Sequence, residues 1–358
     1  MGGNVDSSVR SSSLLHTLQS NFTVHADGSI RDENGGSWLV WTAADFQHWW
    51  LALETHLGVP MGRKLMNAAA DEEEWMFNKY SLFRVNGLFK KRKQQALLSQ
   101  RWHLLGWGKL SLANDTITSN LMAPITAGLA LAALEKVHLS RIKLQWKQVS
   151  PTQTLLELEP DTRQLAPVRD PRVFEWQNPS QQHINDRISP IELDIEVREL
   201  GWANAGEASV LLPVGFFSRI FEAISTQLPL LAPSRIESFH FSESMQDSST
   251  HVVSATCLAI EDLLAKSERP VYIQDIQSWR ALCDAYMIPF GLGTYERISA
   301  TDEHGGVLFQ LKSSSHLPLT VAWLIALWQR GHGKKAKSSL VQQGSGWSLE
   351  VSSLLNYA

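Results

Sequence analysis

Apolar residues change period partway through residues 37–57. Trp38, Leu39, Val40 and Trp41 form an unbroken apolar run behind Gly35 and Gly36, the pattern of a short buried strand. Phe46, Trp49, Trp50, Leu53 and Leu57 then recur at helical spacing, one stripe of an amphipathic helix. The same change of period returns at residues 208–228. Val210, Leu211 and Leu212 follow Gly206, and Phe217, Ile220, Phe221, Ile224 and Leu228 repeat the stripe. The offset is 171 (217 minus 46), without a gap. Any two amphipathic helices share a stripe. The identities Phe46/Phe217, Ala52/Ala223, Thr55/Thr226 and Leu57/Leu228, together with the matched strand, argue for an internal repeat.

A second pairing aligns residues 119–155 with 313–349 at an offset of 194 (318 minus 124). It matches Pro124/Pro318, Thr126/Thr320, Ala132/Ala326, His138/His332, Lys143/Lys337, Gln148/Gln342 and Leu155/Leu349. Each proline opens an apolar run (121–134 and 317–328) where a missing N–H costs nothing in a first helical turn. Both runs are shorter than the roughly 20 residues that span a bilayer and read as buried helices. A basic alternating segment, a turn and a last strand follow in each copy. Between the two pairings the second copy is longer by 23 residues (194 minus 171).

Residues 160–190 carry Pro160, Pro167, Pro171, Pro179 and Pro190 with little apolar periodicity and read as a linker. The organisation expected is a disordered lead over 1–20, a first repeat over 21–159, the linker, and a second repeat over 191–355. The fold class expected is α/β of the α+β kind: two similar domains, each a small antiparallel sheet packed with helices, related by a pseudo-twofold axis.

The opening WLVWTAADFQHWWLALETHLGVPMGRKLMNAAADEEEW (38–75) and the tail TVAWLIALWQRGHGKKAKSSLVQQGSGWSLEV (320–351) resemble the two ends of the 4-vinyl-reductase-like, hydrocarbon-binding domain family, whose fold is shared with vesicle-tethering complex subunits. The correspondence runs through Leu39–Trp41, the helix ending at Leu57, Gly58, the small residues Ala68, Ala69 and Ala70, and the turn Gln343-Gly344. The resemblance implies a pocket for a small hydrophobic or aromatic molecule and a domain that dimerises. A tandem copy would then be an intramolecular pseudo-dimer, a monomer or a homo-oligomer. Zinc-binding members place cysteines around the Gln-Gly turn. Here Ser339, Leu340 and Trp347 stand there, so no metal is expected. The second copy replaces the small-residue helix with residues 230–238, which suggests a closed or remodelled second pocket.

Composition narrows the chemistry. The chain has 358 residues, 44% hydrophobic, a formal charge of −4 and two cysteines, Cys257 and Cys283. That excludes a disulfide framework and a global cationic field. With no secretory signal read at the N-terminus, a cytoplasmic protein is expected. Gly106-Trp107-Gly108 and Gly291-Leu292-Gly293 lack the third glycine of a dinucleotide loop. The acids Asp71 to Glu74 read as a solvated helix face. His138 and His332 read as partly protonated caps on helix C-termini. Fourteen tryptophans mostly fill core, but Trp75, Trp102, His103 and Trp107 in the first half, and Trp279 and Tyr286 in the second, are ligand-binding candidates, aromatic groups beside polar handles. Residues 75–114 hold no acid, while Lys79, Arg84, Lys90, Lys91, Arg92, Lys93, Arg101 and Lys109 are all present. This reads first as a solvated face and second as a surface, centred on Lys90 to Lys93, for nucleic acid or an acidic partner. The function expected is non-enzymatic binding of a small hydrophobic molecule by a tandem sensor or adaptor without cofactor. The alternatives are binding through the basic segment 79–109, or a reductase-type enzyme of unknown substrate.

Overall fold

A computed structural model describes residues 2–80, 85, 89–163, 167–177, 187–227, 231–311, 316–344 and 346–355. Arg84, Pro179, Leu228 and residue 230, named above, lie outside these. The chain opens with α1 (Gly2–Asn21), β1 (Phe22–His25), β2 (Ile30–Asp32), β3 (Ser37–Thr42), α2 (Ala43–Leu57) and α3 (Gly62–Lys79). It continues through α4 (Lys90–Leu104), β4 (Lys109–Ser111), β5 (Thr116–Thr118), α5 (Ala123–His138), β6 (Ile142–Gln148) and β7 (Gln153–Pro160). The second half holds β8 (Arg187–Pro190), β9 (Ile195–Arg198), β10 (Gly201–Asn204), β11 (Glu207–Pro213), α6 (Val214–Ser225), β12 (Phe239–Phe241) and α7 (Asp247–Lys266). It closes with α8 (Ser278–Tyr286), β13 (Tyr295–Ala300), β14 (Val307–Leu311), α9 (Leu317–His332), β15 (Ala336–Gln343) and β16 (Gly346–Ser353). The class is α+β. Among the described residues no helix is long and apolar enough to cross a membrane.

The two apolar strands read from sequence meet at the centre. β3 and β11 pair antiparallel inside a seven-stranded sheet of order β8-β1-β2-β3-β11-β10-β9. Val40 lies opposite Leu211 in that ladder, and these are the two residues related by the offset of 171. An antiparallel pair has a local twofold axis between facing residues, and here it falls on the matched pair. The smaller sheets run β4-β5-β7-β6 and β13-β14-β16-β15, with β12 added beyond β15. One hydrophobic cluster holds Trp41, Phe46 and Trp49 together with Phe216, Phe217 and Ile220, so the two halves share one core. α2 starts on Thr42, whose hydroxyl accepts from the Asp45 N–H at 3.0 Å, and stops at Gly58, where φ is 69°.

Each GxG turn reaches across to the opposite half. A Cβ on Gly106 would lie 2.4 Å from the Ser209 carbonyl oxygen, and one on Gly291 would lie 2.7 Å from that of Trp38. Ser209 and Trp38 are again 171 apart. Both glycines have positive φ, 75° and 74°. The motif therefore allows a left-handed turn to press on a neighbouring strand. Leu211 N–H donates to the Leu105 carbonyl at 3.0 Å in the same contact.

Five expectations are corrected. The lead expected to be disordered is, from Gly2 to Asn21, helix α1, held by buried Leu14 and Leu18 at i and i+4. The proline-rich linker is a packed strap where it is described. Phe174 and Trp176 stack at 4.4 Å, both buried, and meet Phe221 edge-on; β8 pairs with β1. Prolines remove donors, but they do not stop apolar side chains from docking. Residues 231–238 hold only the short 3-10 turn Pro233–Arg235, and the buried small-residue pattern of α3 recurs instead in α7. The buried positions Leu65, Ala68, Ala69, Ala70, Met76 and Phe77 correspond one by one to Val252, Ala255, Thr256, Cys257, Leu263 and Leu264 at an offset of 187 (252 minus 65). The gap-free alignment also slips in the last hairpin. Trp146 faces Leu156 as Leu340 faces Leu349, so Leu349 corresponds to Leu156 and not to Leu155. A slip of one residue in a strand exchanges the two faces: Leu155 is 39% exposed and Leu349 is fully buried. Finally, His332 is no charged cap. Burial, with Lys334 adding to it, holds its imidazole below the ordinary histidine range, and the ring lies 4.7 Å from that of Trp328.

Candidate ligand cleft

A helix presents every third or fourth residue to one side, so two helices that diverge from a common floor enclose a groove lined by two stripes. α1 contributes Val9, Arg10, Ser13, Leu14, Thr17 and Asn21; α4 contributes Leu97, Gln100, Arg101 and Leu104. The floor is Phe22, Trp38 and Met76, with Phe22 edge-on to Trp38 at 5.5 Å. The groove has a volume of about 1410 Å³. Asp32, Tyr80, His103, Lys109, Arg198 and Glu199 also line it.

The polar groups are organised by α3, whose acid run was expected to be solvated. That expectation is corrected: Glu72 and Glu73 are buried. Successive helical residues point about 100° apart, and three successive carboxylates meet three arginines from different elements. Glu72 takes Nε of Arg219 on α6 at 2.9 Å. Glu73 takes Nε and Nη2 of Arg101 on α4, both at 2.7 Å. Glu74 takes both terminal nitrogens of Arg141 at 2.8 and 3.0 Å. Apolar spacing alone misses such a site, because the partners are distant in sequence. Where α3 has Glu72 and Glu73, α7 has Ala259 and Ile260 at the offset of 187, so α7 carries no corresponding carboxylates.

Arg101 is the part of this network that reaches the cleft. Its guanidinium carbon lies 5.9 Å from the Trp38 ring and 5.1 Å from that of Trp107, within cation–π range. The fork is held in place by Glu73 before any ligand arrives. Behind Trp38 and Tyr80 lies a second space of about 510 Å³, lined by Arg31, Glu72, Trp75, Lys79 and Asp170 among others. Burial pushes the Glu72 carboxyl up to about 7 against the pull of Arg219. Burial, helped by the charges of Asp32 and Glu72, pushes the Tyr80 phenol up to about 12.

The sequence-derived residues fall in different places. His103 lines the cleft and a neighbouring space of about 660 Å³ on the other flank of α4, which Trp102 also lines. Trp75 lines the space behind Tyr80 and donates its Nε1 to Asp170 at 2.7 Å. Trp107 is fully buried and donates to the Leu211 carbonyl at 2.9 Å, pinning the two halves. Trp279 is buried edge-on against Phe309 at 4.8 Å. Tyr286 stacks near Trp323 and donates to the Pro270 carbonyl at 2.9 Å. Lys90, Lys91, Arg92 and Lys93 are exposed on the first turn of α4, at the positive end of its dipole. The rest of the basic segment is not one surface, because Arg101 is tied up internally and Lys109 lies 3.8 Å from Glu199. The cleft residues on α1 lie in the lead expected to be disordered and so are absent from the sequence-derived candidates. Leu14 and Leu18, at helical spacing, were the available signal.

Compared with models of known protein families, with curated proteins and with solved structures, the chain matches none.

Proposed function

We propose that this chain is a duplicated, non-enzymatic binding protein that takes a small hydrophobic or aromatic molecule between α1 and α4. The cleft carries the reading: a groove of about 1410 Å³ with an apolar floor of Phe22, Trp38 and Met76, a prearranged guanidinium in its wall and polar side chains around it. The pairing of Val40 with Leu211 and the matching strand orders support a duplication, and with it the resemblance to the 4-vinyl-reductase-like domains. A cytoplasmic sensor or adaptor fits this reading.

Native mass spectrometry of the purified chain, followed by thermal denaturation against a panel of apolar and aromatic compounds, tests it. A compound held at 100 times its Kd adds about 2.7 kcal/mol to stability. Leu97, 39% exposed on the cleft wall, gives the control: Leu97→Trp narrows the groove and changes the size of the shift while leaving the unliganded Tm nearly unchanged. No shift with any compound, or shifts identical in the wild type and Leu97→Trp across the panel, rejects the cleft.

One observation favours a second reading. Lys90, Lys91, Arg92 and Lys93 form no ion pair among the described residues, so this end of α4 offers an uncompensated cation cluster to nucleic acid or to an acidic partner. Binding there weakens steeply with salt, whereas binding in the cleft does not.

A further inference from the structure

The two smaller sheets differ at one edge. β15 carries β12 as a parallel neighbour, with Phe239 opposite Ser338, His240 opposite Ser339 and Phe241 opposite Leu340. Ser338 N–H donates to the Ser238 carbonyl at 2.8 Å, and Ser242 N–H donates to the Leu340 carbonyl at 2.9 Å. β12 thereby sets Phe239 and Phe241 on the same face as buried Leu340, their rings 6.5 Å apart. β6 occupies the same place in the other sheet, and among the described residues no strand pairs with its outer edge.

The backbone of β6 is set up as that of β15 is. Ile142 N–H donates to Glu135 Oε1 at 2.8 Å, as Ala336 N–H donates to Gln329 Oε1 at 3.3 Å. The Leu144 carbonyl accepts from Arg63 Nη1 at 3.2 Å. The even-numbered residues of β6 therefore turn their N–H and C=O groups outward, and those of Trp146 lie along the uncovered edge. Side chains alternate across it: Ile142, Leu144 and Trp146 on the inner face, exposed Lys143, Gln145 and Lys147 on the outer. The Arg63 guanidinium lies over the Trp146 ring at 4.7 Å, at the position corresponding to Leu340.

We infer that the outer edge of β6 is a strand-addition site for an extended acidic peptide with apolar side chains at alternate positions. β12 on β15 is the internal template for the backbone bonds and for the apolar alternation. The charge comes from β6 itself. A second copy pairing antiparallel about Gln145 would set Lys143 against Lys147, a like-charge contact that disfavours self-association. On the outer face Lys143 lies opposite Glu159 of β7 and Lys147 opposite Leu155; at the free edge the two lysines favour carboxylates at the outward positions of an incoming strand. Its amide takes over the Leu144 carbonyl from Arg63, and its apolar residues lie beside Leu144 and Trp146.

The probe is a fluorescein-labelled peptide of residues 237–243, Glu-Ser-Phe-His-Phe-Ser-Glu, with Ser238→Glu and Ser242→Glu, which in the register of β12 set carboxylates opposite Lys143 and Lys147, titrated with the full chain and followed by anisotropy. Saturable binding is expected, weakened about tenfold by Lys143→Glu with Lys147→Glu, since each reversed cross-strand pair contributes a modest amount. N-methylation of the peptide at the Ser242 position, whose N–H faces the neighbouring strand in β12, abolishes binding; N-methylation at Phe241, which faces away, does not. Absence of saturable binding, equal affinity for the charge-reversed chain, or tolerance of the N-methyl at the Ser242 position overturns the inference. So does a dimer that the peptide dissociates, because the edge would then belong to a second copy.

Discussion

Replacing Arg219 by Met isolates the behaviour of the buried carboxylate it faces. Glu72 is 3% exposed and Arg219 is 9% exposed, and their ion pair joins α3 of the first half to α6 of the second. The folded-state value of Glu72, about 7, lies above its ordinary 4.5. The folded chain therefore binds this proton more tightly than the unfolded chain does. The stability from this group is fully present below pH 4.5 and is lost as pH rises through 7. At pH 5.5 Glu72 is mostly protonated, so Arg219→Met loses a hydrogen bond to a charged donor and some packing, about 1.5–3 kcal/mol. Above pH 7 the wild-type carboxylate ionises and is met by Arg219, whereas the variant must bury an unpaired charge or keep the proton. The extra loss then grows by about 1.4 kcal/mol per pH unit, reaching about 2 kcal/mol at pH 8.5. Urea unfolding of both chains at the two pH values reads the difference directly. A second substitution, Glu72→Gln, made together with Arg219→Met removes the pH-dependent part and leaves the rest. A loss of equal size at pH 5.5 and 8.5 would refute the reasoning, because Glu72 would then not be a shifted carboxyl.

Three further outcomes follow from the packing. Gly106→Ala combines a positive φ with a contact of 2.4 Å on the Ser209 carbonyl and destabilises the chain by about 2–4 kcal/mol in equilibrium unfolding; Gly35→Ala, also at positive φ but with open space around it, costs clearly less. Thr42→Ala removes the hydroxyl that caps α2 and costs about 1 kcal/mol by the same measurement, whereas Thr42→Ser retains most of it. Cys257 and Cys283 are buried and burial raises both thiols, that of Cys283 to about 12, so a thiol reagent at pH 8 labels neither until denaturant unfolds the chain.

Local pattern determined much of this protein. The strands at 38–41 and 210–212, the helices that follow them and the two buried helices were legible because each buries one face at a fixed period, and a period survives in a single sequence. The offset of 171 carried more than similarity, since it named Val40 and Leu211, which face each other in the central ladder. Tertiary structure decided what joins residues far apart. Asp71 to Glu74 look like any solvated acidic turn, and only the arrival of Arg219 and Arg101 from other elements makes burial of Glu72 and Glu73 tolerable. A GxG turn looks like a weak loop motif until the opposite strand lies 2.4 Å from where a side chain would be. Leu155 and Leu156 are both leucine in a strand, and only the hairpin's register says which of them faces the core. The cleft is of the same kind: its walls come from α1, α3 and α4, and a space between elements leaves no period in any one of them.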